Sequence, residues 1–224
     1  MLRRFKTAIA SGIAALMLAT GAAATCPPLA VGQFRNEDLL ARVDYIAGKK
    51  VLILDGGVDD NAAARVDAAL RTYAPVDEVW LNSPGGNARQ GTAIGQVLRR
   101  WGVSARIPSG FWCISACNFA FVGAPIRQID PGGQYAVHMF TNVHSKSYAA
   151  YREFFRKNGE PGVFTALQSR EQGSALLAIE QADFLIRMGV SRRLLSEVMY
   201  PQEAAGLRCL NQAEMRRYNV VNFE

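Results

Sequence analysis

The residue types that nucleophilic acyl transfer requires occur at three points of the chain: a serine, a histidine and a glycine turn. Ser115 lies in the segment 111–117, Gly86 closes a Ser-Pro-Gly-Gly turn, and His138 follows an apolar tripeptide. A serine hydroxyl can serve as a nucleophile, an imidazole as its base, and a backbone amide as the donor to an oxyanion. These residues therefore predict an acyl-transfer site built from three separate segments.

Each of the three segments also has an ordinary structural interpretation. Ser115 precedes the apolar run 116–122, where a serine commonly caps a helix, and Pro-Gly-Gly commonly forms a plain turn. His138 is equally compatible with a hydrogen-bonded structural histidine. His144, the other histidine, lies in a polar stretch and is expected to be exposed. Two histidines without clustered ligands do not predict a metal site, and no cofactor is expected.

Alternating strand and helix patterns predict how these segments are positioned. The short apolar runs that are typical of buried strands lie at residues 51–54, 79–81, 103–107 and 136–137. The stretches with helical spacing or helical length lie at residues 62–70, 93–101 and 113–122. This alternation is typical of an α/β fold in which a mostly parallel sheet is connected by crossover helices. The length of the chain suits a single domain.

The second half of the chain is mostly helical in pattern. Residues 141–161 carry aromatic side chains at helical spacing, which indicates a helix that faces the core or a partner. Residues 170–199 continue the helical pattern as far as a break near Gly189. The segment 210–221 is interpreted as the end of a strand, a helix capped by Asn211 and a last strand.

The first 24 residues have the features of a signal peptide. Positive residues precede an apolar stretch over 7–20, and small residues at 22–24 offer a cleavage site. The apolar stretch is shorter than the about 20 residues that span a membrane, and a lipid anchor on Cys26 is the less favoured alternative. We therefore expect a periplasmic or secreted protein. Its predicted organisation is a signal peptide (1–24), an irregular lead-in (25–48) and one folded domain (49–224).

All four cysteines follow this leader: Cys26, Cys113, Cys117 and Cys209. An even number in an exported chain predicts disulfides, and the sequence leaves three pairings open. A redox-active Cys113 and Cys117 that gate Ser115 are an alternative, although their spacing is not Cys-x2-Cys. The formal net charge is +6, but no basic run with interleaved aromatic residues predicts nucleic-acid binding.

Taken in order, several of these segments resemble the proteolytic subunit of the Clp protease and its relatives, including signal peptide peptidase A, within the crotonase-like superfamily. The similarity covers residues 51–140, and a looser similarity covers 210–220. The matching segments are Leu-Asp-Gly-Gly-Val-Asp at 54–59, Trp-Leu-Asn-Ser-Pro-Gly-Gly at 80–86, the helix residues Gly91 and Ile94, the serine segment 110–117, Gly123, Arg127, and Val-His at 137–138. The resemblance implies a ClpP/crotonase-like fold.

The resemblance also implies a serine peptidase and a role for each matching residue. Ser115 would be the nucleophile, His138 the general base, and the amides of Gly86 and Ala116 the oxyanion hole. The implied substrates are peptides or proteins, and the assembling members of the family hint at a homo-oligomer. Neither nucleic acid nor coenzyme A is an expected partner, the latter because export separates the protein from that cofactor.

One part of the family pattern is missing, because no aspartate matches the third member of its triad. The corresponding stretch, 197–203, offers only Glu197 and Glu203 as weak candidates to orient His138. A backbone carbonyl, or no group at all, is the alternative. No lysine matches the Ser-Lys dyad of signal peptide peptidases. This departure keeps open a second function, a catalytically degenerate binding or scaffolding protein, with an acyl-coenzyme A enzyme as a distant third.

Overall fold

The computed structural model of the chain describes residues 26–139, 146–202 and 206–223. The predicted signal peptide lies outside the described residues, and so do His144 and Glu203. Among the helices that are described, none is long and apolar enough to cross a membrane.

The described residues form eight strands and five α-helices. The strands are β1 (Leu40–Ile46), β2 (Lys49–Asp55), β3 (Glu78–Asn82), β4 (Ser104–Ile107), β5 (Trp112–Ile114), β6 (Arg127–Ile129), β7 (Gln134–Val137) and β8 (Arg208–Cys209). The helices are α1 (Ala62–Tyr73), α2 (Ala88–Trp101), α3 (Ala116–Gly123), α4 (Lys146–Arg187) and α5 (Gln212–Arg217). The backbone of Gly159 is not helical, so α4 consists of two helical segments joined by a kink. A π-helical turn at Leu195–Met199 follows the interruption of the helical pattern that was predicted near Gly189.

The strands are arranged in two sheets. The larger sheet has the order β1-β2-β3-β4-β6, in which β1 is antiparallel to β2 and the other neighbours are parallel. The smaller sheet has the order β5-β7-β8, with β5 parallel to β7 and β8 antiparallel. Helices α1 and α2 are the crossovers between successive parallel strands β2, β3 and β4, as a parallel sheet requires. The predicted α/β architecture with a mainly parallel sheet is confirmed.

Three elements differ from the sequence prediction. Residues 40–46 form the edge strand β1 inside the predicted irregular lead-in, and most of its side chains are at least partly exposed, so its apolar pattern is weak. The stretch predicted as one helix over 113–122 is divided between β5 and α3, with Ser115 at the junction. The predicted last strand is not formed, because residues 219–223 run as irregular chain.

A buried arginine holds this irregular C-terminal chain against the end of α3. The side chain of Arg127 is 1% exposed and donates to the carbonyls of Val220 at 2.8 Å, Asn219 at 2.9 Å, Ala124 at 3.0 Å and Val122 at 3.4 Å. Burial lowers the pKa of Arg127 to about 10, and among the described residues its guanidinium donates to carbonyls and not to a carboxylate. Because α3 begins next to Ser115, this arginine fixes the far end of the helix that carries the candidate nucleophile.

The substitution Arg127→Lys tests this role. A lysine presents all its donors from one nitrogen and cannot reach both pairs of carbonyls, so we expect a loss of about 2 kcal/mol in the free energy of unfolding. Urea unfolding measures it. The control is Arg100→Lys, because the Arg100 side chain is 62% exposed and lies 3.6 Å from Asp67; a surface ion pair of this kind predicts almost no change. Equal effects of the two substitutions would contradict the assignment.

Candidate active site

Ser115 occupies a strained turn between β5 and α3. Its backbone has φ 58° and ψ −120°. Residues other than glycine rarely adopt this conformation, which costs on the order of 1–3 kcal/mol. Its hydroxyl makes no capping hydrogen bond to the helix, so the ordinary N-cap interpretation does not describe it. Ser115 is partly exposed although the residues on both sides are buried. The turn therefore leaves Ser115 partly accessible between the buried residues Ile114 and Ala116.

A disulfide closes the chain across this turn. Cys113 in β5 and Cys117 in α3 are bonded, with their Cα atoms 5.2 Å apart, and both are essentially inaccessible at 0% and 1% exposure. The second disulfide joins Cys26 to Cys209, with Cα atoms 4.9 Å apart, and so connects the N-terminal segment to β8. These two bonds resolve the three pairings that the sequence left open. The burial of the first pair favours a structural role over redox chemistry.

The glycine turn predicted to supply an oxyanion donor lies directly against Ser115. Ser83 is joined to β5 by two main-chain bonds, from its amide to the Trp112 carbonyl at 2.7 Å and from the Ile114 amide to its carbonyl at 3.0 Å. A Cβ atom on Gly85 would stand 2.6 Å from the Cβ of Ser115 and 2.9 Å from the amide nitrogen of Ala116. Gly85 also has φ 88°. Only glycine fits here, because the backbone must both turn and approach the serine closely.

The next residue, Gly86, has an amide that is free to receive a ligand. Val58 donates to the Gly85 carbonyl and accepts from the Asn87 amide, each at 2.7 Å, so the amide of Gly86 points away from Val58. Within the described residues neither the Gly86 amide nor the Ala116 amide donates a hydrogen bond. Both amides lie at the start of a helix, α2 or α3, where the helix dipole favours negative charge.

The smaller sheet places His138 beside the serine turn. Strands β5 and β7 are parallel, Ile114 pairs with Ala136, and the Ser115 amide donates to the Ala136 carbonyl at 3.4 Å. Ser115 follows β5 and His138 follows β7 at the same end of two neighbouring strands, which run about 4.8 Å apart. The His138 ring is partly exposed. The register therefore places the serine and the histidine that the sequence singled out at the same end of two neighbouring strands.

The hydrogen bond of His138 determines which ring nitrogen can act as a base. Nδ1 lies 2.6 Å from the carbonyl oxygen of Met139. A carbonyl only accepts, so Nδ1 carries the proton and Nε2 keeps its lone pair. The main chain thus occupies the position at which a triad carboxylate would orient the ring, which was one of the alternatives that the sequence left open.

Glu197, a weak candidate for that orienting role, is engaged elsewhere. Its carboxylate accepts from the hydroxyl of Tyr218 at 2.8 Å and from Arg217 at 3.1 Å, and it also binds Arg193. The hydrogen bond from Tyr218, together with the two arginines, lowers the pKa of Glu197. The described contacts of this carboxylate form a surface cluster that does not include His138.

Sequence reasoning missed one polar residue of the site, Asn118 in the first turn of α3. Its side chain is 1% exposed, and its amide nitrogen donates to the Ala136 carbonyl at 2.8 Å. The available signal was an asparagine within the otherwise apolar run 116–122, one helical turn after Ser115. The Met139 carbonyl carried no sequence signal, because every residue has one.

Comparisons with known proteins support the fold. A scan against protein-family models finds no match, and a search of curated protein sequences finds none. Among solved structures, the chain is similar to a mutant of ClpP1 from Listeria monocytogenes, with a TM-score of 0.53 at 14% sequence identity. The similarity covers 77% of this chain and 89% of that chain. The protein therefore has a ClpP-like α/β fold, while a likeness at this identity leaves the activity to the site residues.

The contact between Gly85 and Ser115 predicts the effect of an added methyl group. In Gly85→Ala the new Cβ meets the Ser115 side chain and two backbone atoms, so we expect reaction of Ser115 with a fluorophosphonate to fall by about 100-fold. The control is Gly110→Ala, since Gly110 also has positive φ, 79°, but open space around the added atom. Mass spectrometry of the labelled peptide gives both rates. Equal rates in the two variants would disprove a specific contact.

The two disulfides are expected to differ in what they control. The Cys26–Cys209 bond closes a separation of 183 residues and the Cys113–Cys117 bond one of 4. The loop-entropy model then predicts losses of about 5 and about 2 kcal/mol in unfolding free energy when each pair is replaced by alanine. Fluorophosphonate labelling should rank the other way, with the larger loss for the Cys113 and Cys117 pair. A larger loss of labelling for the Cys26 and Cys209 pair, in step with its larger loss of stability, would show that stability alone decides reactivity.

Proposed function

We propose that this protein is an exported serine peptidase that hydrolyses peptide bonds through an acyl-enzyme on Ser115, with His138 as general base. One arrangement carries the proposal: a serine without a capping hydrogen bond occupies a strained turn against Gly85, and it follows its strand at the same end as a histidine that follows the neighbouring parallel strand. The amides of Gly86 and Ala116 donate no hydrogen bond within the described residues. The imidazole of that histidine keeps Nε2 available as the basic nitrogen. Nucleophile, base and oxyanion donors are the three requirements of acyl transfer.

The chemistry follows from the roles of these groups. His138 Nε2 takes the proton of the Ser115 hydroxyl as the oxygen attacks the carbonyl carbon of the peptide bond. The amides of Gly86 and Ala116 stabilise the oxyanion, and one such donor is typically worth about 3 kcal/mol. The imidazolium then protonates the leaving amine, and water hydrolyses the acyl-enzyme with His138 again acting as base.

The nature of the group at Nδ1 influences the expected rate. A carbonyl dipole fixes the ring and its tautomer, as a carboxylate does, but it stabilises the positive imidazolium less than a full negative charge would. We therefore expect a competent but slower peptidase than one with a complete Ser-His-Asp triad. The same feature favours the second candidate function, a binding or scaffolding protein that keeps the fold while turnover is negligible.

Substrate class, compartment and assembly belong to the proposal as well. A ClpP-like fold supports peptide or protein substrates, and the family resemblance supports a homo-oligomer. The leader-like residues 1–24, together with two disulfides, support a periplasmic or secreted location, since such bonds persist in oxidising compartments.

The proposal predicts that a fluorophosphonate probe forms an adduct on Ser115 in the folded protein. Peptide-mapped mass spectrometry locates the adduct, and labelling should be lost on heat unfolding and fall about 100-fold or more in His138→Ala, because general-base catalysis contributes about 10²–10⁴-fold. Ser115→Ala confirms the assignment of the labelled peptide. Folded protein without an adduct would favour the binding-protein alternative, and an adduct that forms equally well in His138→Ala would remove the histidine from the mechanism.

A further inference from the structure

We propose that Asn118 is a positioning residue of this site, one that holds the serine turn in register with the strand that carries His138. The proposal rests on the proposed function of Ser115 and His138. It starts from the hydrogen bonds at the point where strands β5 and β7 end.

The main-chain ladder between β5 and β7 ends on a long hydrogen bond. The Ser115 amide donates to the Ala136 carbonyl at 3.4 Å, beyond the usual length of such a bond. The strained dihedral angles of Ser115 then turn the chain away from the sheet, so no further main-chain rung can follow on this side. The register between nucleophile and base depends on whatever strengthens this last pairing.

Asn118 strengthens this pairing through its side-chain amide and its backbone amide. Its side-chain amide donates to the same Ala136 carbonyl at 2.8 Å, and its backbone amide donates to the Ser115 carbonyl at 2.9 Å. Asn118 therefore joins the first turn of α3 and the serine turn to β7. The contact point on β7 is Ala136, two residues before His138. A displacement of the serine turn and α3 along β7 would have to break the bonds that Asn118 and the Ser115 amide both donate to the Ala136 carbonyl.

The other atom of the same side chain indicates that stability alone does not explain an asparagine here. Asn118 Oδ1 is buried and has no hydrogen-bond partner among the described residues. A buried acceptor without a partner destabilises the folded state. A leucine of similar size would remove that cost, while the Ala136 carbonyl would keep its bond from Ser115. Violations of local consistency of this kind occur in real proteins chiefly at functional sites.

The substitution Asn118→Leu therefore separates stability from reactivity. We expect the urea unfolding midpoint to stay unchanged or to rise, and the rate of fluorophosphonate labelling at Ser115 to fall about 10- to 100-fold, as misplacements of about 1 Å do. The matched control is Gln181→Met, because Gln181 is another buried amide, 4% exposed, with one long bond from Tyr200. The control should label at the wild-type rate.

A double-mutant cycle distinguishes positioning from general support of the fold. If Asn118 acts through the alignment of Ser115 with His138, adding Asn118→Leu to His138→Ala slows labelling no further. A structural role would slow labelling in both backgrounds. Asn118→Ala, which cannot overpack the site, replaces the leucine variant if that protein does not fold. Its cavity lowers the unfolding midpoint, so the cycle decides: labelling should slow in the wild-type background and slow no further in His138→Ala.

The outcomes separate this proposal from the one on which it rests. Wild-type labelling that depends on His138, together with unchanged labelling in Asn118→Leu, overturns the role of Asn118 and leaves the peptidase proposal standing. Slower labelling that tracks a lower unfolding midpoint, or that persists in the His138→Ala background, also overturns it. A folded wild-type protein that forms no adduct overturns both proposals together.

Discussion

The candidate site depends on one local constraint, the unfavourable backbone conformation of Ser115. With φ at 58° and ψ at −120°, this residue cannot continue the strand before it or belong to the helix after it. The chain reverses there, and the reversal leaves a hydroxyl without a capping role at the start of a buried helix. Such strain persists only where the surrounding structure over-determines it. The surrounding contacts hold Ser115 in this conformation.

Several independent contacts converge on the turn. The Cys113–Cys117 disulfide joins its two sides, Gly85 packs against the serine with no room for a side chain, and the Ala136 carbonyl receives two donors from it. At the other end of α3, Arg127 binds the last carbonyls of the helix and the C-terminal chain. Each contact comes from a different part of the sequence, so the turn can form only when both sheets are assembled.

The same assembly determines the electrostatics of the site. Within the described residues, the amides of Gly86 and Ala116 donate no hydrogen bond. The histidine ring is held by the carbonyl of the next residue rather than by a distant carboxylate. Such a histidine is oriented by a neutral hydrogen bond to a group nearby in the chain. A full triad would add a carboxylate whose charge stabilises the imidazolium.

Sequence patterns alone predict the alternation of strands and helices, the serine, histidine and glycine segments, and the presence of disulfides. Those features are local: apolar periodicity, turn residues and the count of cysteines are readable without knowing what packs where. The edge strand β1 was missed because its side chains are largely exposed, so it lacks the apolar signal of a buried strand.

The folded chain is needed to show the disulfide pairing, the carbonyl at His138, the binding of Glu197 in a surface cluster, and the contacts of Asn118. Each depends on contacts between residues distant in the chain or on main-chain atoms that every residue shares. A sequence shows which side chains are present, whereas hydrogen-bond partners and backbone strain are set by the register of neighbouring strands. For this reason the candidate nucleophile and base could be predicted, but the geometry that relates them could not.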